Sequence, residues 1–169
     1  MASIATASHL PALEEPHERE AVGRMLEATL HELVNLALTG RQLHWAVVGP
    51  LLRALHLQPD EFVDAWRELA DTVAERAVAL GDVPDGQAQA VGANSRLRPV
   101  AHPPVEDHAV VRGLTDRIAT ASELARDGMH RPGGVDLASQ EVLIGVVRKL
   151  EEQQWMAGAA RRSLVSADG

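Results

Sequence analysis

The sequence predicts an all-α protein built as a bundle of four long helices, and three observations favour this class. Ala, Leu and Val supply most of the 46% apolar residues, and Ala and Leu are strong helix formers. Aromatic residues make up 2% of the chain, whereas strands favour aromatic and β-branched residues. Apolar side chains recur every three or four positions along four segments, which is the period of one helix face. The 169 residues suit a single domain.

The first predicted helix covers residues 17–47 and follows a flexible tail at residues 1–16. Proline is favoured in the first turn of a helix, and Pro16 occupies that place. Glu18 and Glu20 place negative charge at the positive end of the helix dipole. The apolar stripe that should face the core consists of Val22, Met25, Leu26, Leu30, Leu33, Val34 and Ala37.

The second predicted helix covers residues 51–80. The pair Gly49-Pro50 is a break signal before it, and Gly81 is a residue type that commonly ends a helix. Its apolar stripe consists of Leu52, Leu55, Phe62, Val63, Trp66, Leu69, Ala70, Val73, Ala77 and Leu80.

A long connection follows over residues 81–105, where internal Gly and Pro residues are concentrated, with room for one short helix. Apolar periodicity then predicts a third helix over 105–129 and, after a turn, a fourth over 137–164. A four-helix bundle whose middle pair is joined by a long crossover has the ferritin-like topology. We therefore predict a ferritin-like four-helix bundle domain at residues 17–165 and a short C-terminal tail at residues 166–169.

Composition excludes several classes of function. The chain has no cysteine, which excludes disulfides, thiolate metal sites and cysteine nucleophiles. Its formal net charge is −8 and Lys149 is its one lysine, a balance unlike that of proteins built to neutralise nucleic-acid phosphates. The N-terminus lacks the basic start and apolar core of a signal peptide, and no apolar stretch reaches the roughly 20 residues of a membrane helix. We therefore expect a soluble, cytoplasmic protein without a membrane partner.

Five side chains that can bind metal stand out on the first two predicted helices: His44, His56, Asp60, Asp71 and Glu75. His56 with Asp60, and Asp71 with Glu75, are i,i+4 pairs, so each pair shares one helix face. Asp60 and Asp71 lie 11 residues apart, which is about 16 Å along a helix axis. The two pairs therefore cannot meet on one metal ion within a straight helix.

Two copies of the second helix could bring the pairs together. The four positions are symmetric about a point between Ala65 and Trp66. If the helix packs antiparallel against its own copy there, each His/Asp pair faces an Asp/Glu pair of the second copy. His44 would add another imidazole, and imidazole with carboxylate ligands suits iron among several divalent metals. The alternative stays open that the carboxylates are merely solvated and that His44 is a satisfied buried histidine.

Short segments on these helices are also familiar as a set. They are residues 44–50 (HWAVVGP), 55–56 (LH), 60–62 (DEF) and 71–77 (DTVAERA), with LIGV at 143–146 and QWM at 154–156 on the fourth helix. Together they resemble the Dps family, the miniature ferritins named as DNA-binding proteins from starved cells. The spacing of the five ligands is the specific part, since each has a counterpart among the ferroxidase ligands of that family.

The resemblance implies a hollow homo-oligomer, a dodecamer, that oxidises Fe(II) with hydrogen peroxide and stores ferric mineral. It assigns iron binding and ferroxidase chemistry to His44, His56, Asp60, Asp71 and Glu75. In the family the last two carboxylates lie across a two-fold dimer interface from the histidines, which agrees with the symmetry of the spacing. Removal of Fe(II) and peroxide would protect against oxidative stress.

Two features depart from the family pattern. Pro59 lies between His56 and Asp60, and a proline inside a helix removes a backbone hydrogen bond and clashes with the previous turn. A structural shell with a disabled ferroxidase site is therefore one alternative. DNA binding in the family usually depends on a basic tail, whereas Arg19 is the only Lys or Arg within residues 1–20. A nucleoid-compacting function through direct DNA binding, the other alternative, is discounted.

Four further side chains carry expectations of their own. Trp45 and Trp155 are predicted to pack in the core, although an indole beside iron could instead absorb stray oxidising equivalents. Asp64 and Arg67 lie close to the proposed two-fold axis and could pair across it. Such a pair would contribute little if exposed.

Three acidic residues flank the turn between the third and fourth helices: Asp127, Asp136 and Glu141. Asp136 can cap the fourth helix, because a carboxylate at that position accepts hydrogen bonds from the first turn. The alternative is that the three carboxylates line a three-fold pore that draws in cations.

Overall fold

The computed structural model describes the backbone of the chain over residues 16–50, 52–100, 104–130 and 136–167. Side chains are described over the same ranges, except at positions 16, 52–59 and 160–167. The elements of this part are α1 (Pro16–Ala46), β1 (Val47–Val48), α2 (Leu52–Ala79), α3 (Ala88–Asn94), β2 (Val105–Glu106), α4 (Asp107–Met129) and α5 (Leu137–Ala167). The four long predicted helices and the short helix in the connection are confirmed.

The long helices pack in two pairs, α1 along α2 and α4 along α5, and contacts of α1 with α4 and of α2 with α5 join the pairs. The connection from α2 to α4 crosses between them and carries α3, which packs against α1. This arrangement confirms the ferritin-like bundle. The sequence did not predict β1 and β2, which pair in parallel with Val47 opposite Val105. Among the helices described, none is long and apolar enough to cross a membrane.

The predicted apolar stripes meet in one core between the four long helices. Its largest fully buried apolar side chains are Trp66, Leu26, Leu33, Leu36, Ile118, Leu143, Leu150, Val63 and Val73. Trp66 Nε1 donates a hydrogen bond to Gln153 Oε1 at 2.7 Å. The indole N–H therefore keeps a partner in the middle of the core, as a buried tryptophan requires.

The expectation that Trp45 and Trp155 pack in the core is wrong. In the chain Trp45 is 70% exposed and Trp155 is 67% exposed. On α5 the buried stripe runs from Leu150 through Gln153 to Ala157. At 3.6 residues per turn, a residue five positions after Leu150 is rotated about 140° away from it. Trp155 therefore faces outward, and a glutamine occupies the core position nearby.

Buried polar side chains of α1 hold the crossover in place. Glu32 is 1% exposed, and its two carboxylate oxygens accept hydrogen bonds from Ser95 Oγ and from the backbone N–H of Arg96, both at 2.7 Å. His31 is 4% exposed, and its Nε2 lies 2.9 Å from the carbonyl oxygen of Asp85. Each of these groups is therefore satisfied by a partner more than 50 residues away in the sequence.

Gly81 ends α2, as predicted. Its φ is +94°, a backbone conformation that glycine adopts without strain. The N–H of Gly81 bonds to the carbonyl oxygen of Val78 at 2.9 Å, and the N–H of Asp82 bonds to that of Ala77 at 3.1 Å. These two bonds form a Schellman cap, which satisfies carbonyls at the helix end and turns the chain into the crossover.

Asp136 caps α5, which confirms the first reading of that residue. Its Oδ1 accepts the backbone N–H of Ser139 at 3.0 Å and the Nη2 donor of Arg76 on α2 at 2.7 Å. Burial alone would raise the pKa of Asp136, but the hydrogen bonds from Ser139 and the charge of Arg76 outweigh burial and lower it. Asp127 and Glu141 are exposed, and a pore lined by them stays a prediction.

Candidate metal centre

His44 and Asp60 are the two predicted ligands that the structure brings together. His44 lies in the last turn of α1, and Asp60 lies on α2, which packs along it. His44 Nδ1 is 3.3 Å from Asp60 Oδ1, and the two side chains are 16% and 43% exposed. An imidazole and a carboxylate at this distance can orient one another for metal binding, and both are ligand types that iron accepts.

Arg41 completes this cluster, although the sequence analysis did not predict it. It precedes His44 by three residues on α1, and residues three apart share a helix face. Arg41 Nη1 donates to Asp60 Oδ1 at 2.6 Å, the same oxygen that lies near the imidazole. The spacing of Arg41 and His44 is visible in the sequence. Arginine is positively charged and does not bind metal ions, so a search for metal ligands does not include it.

Asp71 and Glu75 lie further along α2 and are both exposed. Because α2 is one helix from Leu52 to Ala79, the 11 residues from Asp60 to Asp71 span about 16 Å. Within the part of the chain that the structure describes, no three His, Asp or Glu side chains are grouped so that they could hold a metal ion. One chain alone therefore does not assemble this ligand set.

The side chains of His56 and Pro59 lie outside the described residues. Their backbone belongs to α2, which continues through position 59 without ending there. Pro59 therefore does not terminate the helix between the two predicted ligands His56 and Asp60. The position of the His56 imidazole stays a prediction.

The surface beside the cluster is apolar and exposed. Leu38 is 56% exposed and Trp45 is 70% exposed, and residues seven apart lie on the same side of a helix. They line a groove of about 560 Å³ together with Val34, Ala37, Arg41, Gln42, Arg67 and Ala70. Large apolar side chains gathered at an exposed surface are typical of an interaction site.

Asp64 and Arg67 contact each other within α2. Arg67 Nη1 lies 3.5 Å from Asp64 Oδ1, and the side chains are 59% and 69% exposed. This is an i,i+3 contact on a solvated face, so it adds little stability. Pairing of these residues across a two-fold axis stays a prediction.

Comparison with known proteins assigns the chain to a family. A family model described as a ferritin-like domain matches residues 24–164. The DNA protection during starvation protein of Mycolicibacterium smegmatis is 30% identical over an alignment that covers 97% of this chain and 87% of the relative. The chain belongs to the ferritin-like Dps family.

Other Dps proteins agree in sequence and in fold. DpsA14 from Streptomyces coelicolor superposes with a TM-score of 0.84 at 33% identity, covering 89% of each chain. The DNA protection during starvation protein 2 of Deinococcus radiodurans is 30% identical over 153 residues. That match covers 90% of this chain but only 63% of the length of the relative.

Proposed function

We propose that this chain stores and detoxifies iron. It oxidises Fe(II) to Fe(III), with hydrogen peroxide as the oxidant, and mineralises the product inside a hollow homo-oligomer, a dodecamer. The observation that carries the proposal is the division of the ligand set into two halves. The side chains of His44 on α1 and Asp60 on α2 lie 3.3 Å apart, whereas Asp71 and Glu75 are exposed further along α2. A site that uses all of them needs two copies of the chain.

The division of the ligands fits a two-fold interface between copies of α2. A two-fold interface is self-complementary, so the patch of one copy that carries His44 and Asp60 can meet the patch of the other copy that carries Asp71 and Glu75. The symmetric spacing places Asp71 and Glu75 of a second copy opposite Asp60 and His56. Each dimer would then contain two identical iron sites.

The donor set suits oxidation of iron. Imidazole and carboxylate ligands bind Fe(II), and the three carboxylates of a complete site favour the higher charge of Fe(III). Two Fe(II) ions each give one electron to one hydrogen peroxide, whose O–O bond breaks, and its two oxygen atoms leave as hydroxide or water. Ferric ions then hydrolyse to mineral. The reaction removes both components needed to generate hydroxyl radicals.

Coating of DNA is the second candidate function, because the M. smegmatis relative carries DNA protection in its name. Binding to duplex DNA depends on neutralising phosphates with cations. The chain has a formal net charge of −8, with 24 acidic residues against 16 Lys and Arg. We therefore propose that protection of DNA by this chain comes from removal of Fe(II) and peroxide rather than from coating.

The test compares two exposed glutamates of α2, Glu75 and Glu68, of which only Glu75 belongs to the proposed site. Purified wild-type protein should oxidise Fe(II) on addition of peroxide, followed by ferric absorbance. Glu75→Ala should slow this at least about tenfold because a ligand is lost, and Glu68→Ala should leave the rate unchanged. Light scattering should give a particle near twelve times the chain mass of 18.2 kDa.

Two results would contradict the proposal. A wild-type protein that stays an 18.2 kDa monomer at micromolar concentration would remove the two-copy site. An assembled wild type that neither binds nor oxidises Fe(II), while Pro59→Leu does both, would establish the alternative of a shell whose site Pro59 has disabled.

A further inference from the structure

We propose that Arg41 is a positioning residue whose guanidinium holds the Asp60 carboxylate until an iron ion displaces the guanidinium. The metal position at Asp60 then fills only after the guanidinium has moved away. This inference rests on the proposed function, since it concerns the same site. It adds Arg41, a residue outside the five proposed ligands, to the site. It also gives an order of events, in which Asp60 binds metal only after Arg41 has left it.

The contact of Arg41 with Asp60 is short and charge-assisted. Arg41 Nη1 lies 2.6 Å from Asp60 Oδ1, and the side chains are 29% and 43% exposed. His44 Nδ1 lies 3.3 Å from the same oxygen. One oxygen thus serves a guanidinium and an imidazole together, and charge-assisted hydrogen bonds of this length are among the stronger ones in proteins. Asp60 is held in place before any metal arrives.

A cation bound between His44 and Asp60 competes directly with Arg41. It would use the carboxylate oxygen that the guanidinium holds, and the two positive charges would repel one another across a few ångströms. The side chain of Arg41 has to move, and the strength of its contact with Asp60 is subtracted from the affinity for the metal.

The structure provides a place for Arg41 to move to. Its side chain is partly exposed and lines the groove of about 560 Å³ beside the cluster. Trp45 lines the same groove, and a guanidinium stacks favourably on an indole face. Exchange between Asp60 and the groove therefore needs rotation of one flexible side chain and no change in α1 or α2.

Displacement of Arg41 makes the site selective for cations that prefer imidazole with carboxylate. With Arg41 in place, the empty cluster carries less net negative charge and attracts weakly bound cations less. Mg²⁺ prefers all-oxygen ligands and keeps its waters, so it gains little from His44 and competes poorly with a guanidinium. Fe(II) gains from both ligands and can replace it.

The experiment is a calorimetric titration of the assembled protein with Zn²⁺, a redox-inert cation that takes His and Asp ligands. Arg41→Met removes the charge at nearly constant length, and Arg41→Gln is a second neutral variant in case the first does not assemble. Arg41→Lys retains the charge. Arg148→Met is the matched control, because it removes an exposed arginine from α5, a helix with none of the five ligands.

The neutral Arg41 variants should bind Zn²⁺ at the site of His44 and Asp60 about fivefold more tightly than wild type, which is the upper end of what a partly exposed charge contact contributes. Arg41→Lys and Arg148→Met should stay within about twofold of wild type. In an Asp60→Asn background the gain from removing Arg41 should disappear, because the two residues act as a pair.

Unchanged or weaker Zn²⁺ binding by both neutral variants, with wild-type binding intact, would overturn the role of Arg41 and leave the proposed function standing. A gain that persists in the Asp60→Asn background would also overturn it, since the effect would then not pass through Asp60. Absence of Zn²⁺ binding by every form, wild type included, would overturn both proposals.

Discussion

Two carboxylates packed between neighbouring elements of the bundle, Glu32 on α1 and Asp60 on α2, have opposite surroundings. Glu32 is 1% exposed, and a hydroxyl and a backbone N–H satisfy its two oxygens at 2.7 Å. The Asp60 side chain is 43% exposed, and one of its oxygens lies near both a guanidinium and an imidazole. The first carboxylate joins parts of the fold, and the second retains access to solvent.

The difference shows how the bundle separates buried carboxylates that hold the fold together from carboxylates that stay accessible to solvent. Burial of a polar group costs free energy unless the group is fully hydrogen-bonded. Few substitutions of Glu32 would therefore preserve the stability of the fold. A half-exposed carboxylate can change partners, because water replaces what it loses. Access to solvent, rather than the number of polar neighbours, distinguishes the cluster around His44 and Asp60, where we propose that metal binds, from the buried Glu32.

Glu32→Ala should give the largest effect on stability. It leaves the Ser95 hydroxyl and the Arg96 N–H without their partner. Loss of a buried carboxylate that accepts two hydrogen bonds costs about 3 kcal/mol of unfolding free energy. For a chain of this size that corresponds to a fall in Tm of roughly 10 °C, measured by circular dichroism at fixed concentration.

Glu27→Ala is the matched control for Glu32→Ala. Glu27 lies on the same helix and also holds the crossover, accepting the N–H of Asp85 at 2.9 Å, but this bond is exposed. It should cost about 1 kcal/mol or less. Equal losses of unfolding free energy in the two variants would contradict the comparison, since burial would then not determine how much each carboxylate stabilises the fold.

Asp136→Asn should give a smaller effect that depends on pH. Asparagine can still accept the Ser139 N–H but loses the charge pair with Arg76, which costs about 2 kcal/mol at neutral pH. The pKa of Asp136 is lowered in the fold from its ordinary value of 3.8. The stabilisation is therefore complete above that value and is lost as pH falls through the lower folded pKa.

Denaturant unfolding of wild type and Asp136→Asn between pH 7 and pH 2 measures this dependence. The gap between the two should be constant near neutral pH and close below pH 4. Asp127→Asn, at an exposed carboxylate, should stay within about 0.5 kcal/mol of wild type throughout. A gap that widens on acidification would mean that the Arg76 pair does not lower the pKa of Asp136.

Local sequence signals predicted most of the fold. Apolar periodicity located the four long helices, and Gly81 marked the end of α2, because a helix face and a helix cap depend on residues close in sequence. The anchoring of the crossover by Glu32 escaped prediction, since its partners lie more than 60 residues away. The outward orientation of Trp155 escaped it for another reason, because the core stripe continues through the polar Gln153.

The candidate site was predictable in part. Spacing alone separated the ligands into two halves, and the structure keeps His44 with Asp60 and leaves Asp71 apart. Arg41 could not be identified as part of the cluster, because its role comes from the packing of α1 on α2. The groove beside the cluster could not be predicted either, because the sequence does not show that the apolar residues Leu38 and Trp45 are exposed.

The central claim is that each iron site takes ligands from two copies of the chain. Co-expression of two differently tagged subunits, His44→Ala and Glu75→Ala, tests it most directly. In a dimer of one of each, one site carries both substitutions and the other carries neither. Random pairing should therefore leave about a quarter of all sites intact.

The measurement is peroxide-dependent Fe(II) oxidation by particles purified through both tags. The account predicts a rate near a quarter of the wild-type rate for the His44→Ala and Glu75→Ala mixture, with each variant alone at about a tenth of the wild-type rate or less. A mixture of Asp71→Ala and Glu75→Ala should stay as slow as either variant alone, because every site then carries one substitution. Mixed His44→Ala and Glu75→Ala particles no more active than either variant alone would contradict the two-copy site.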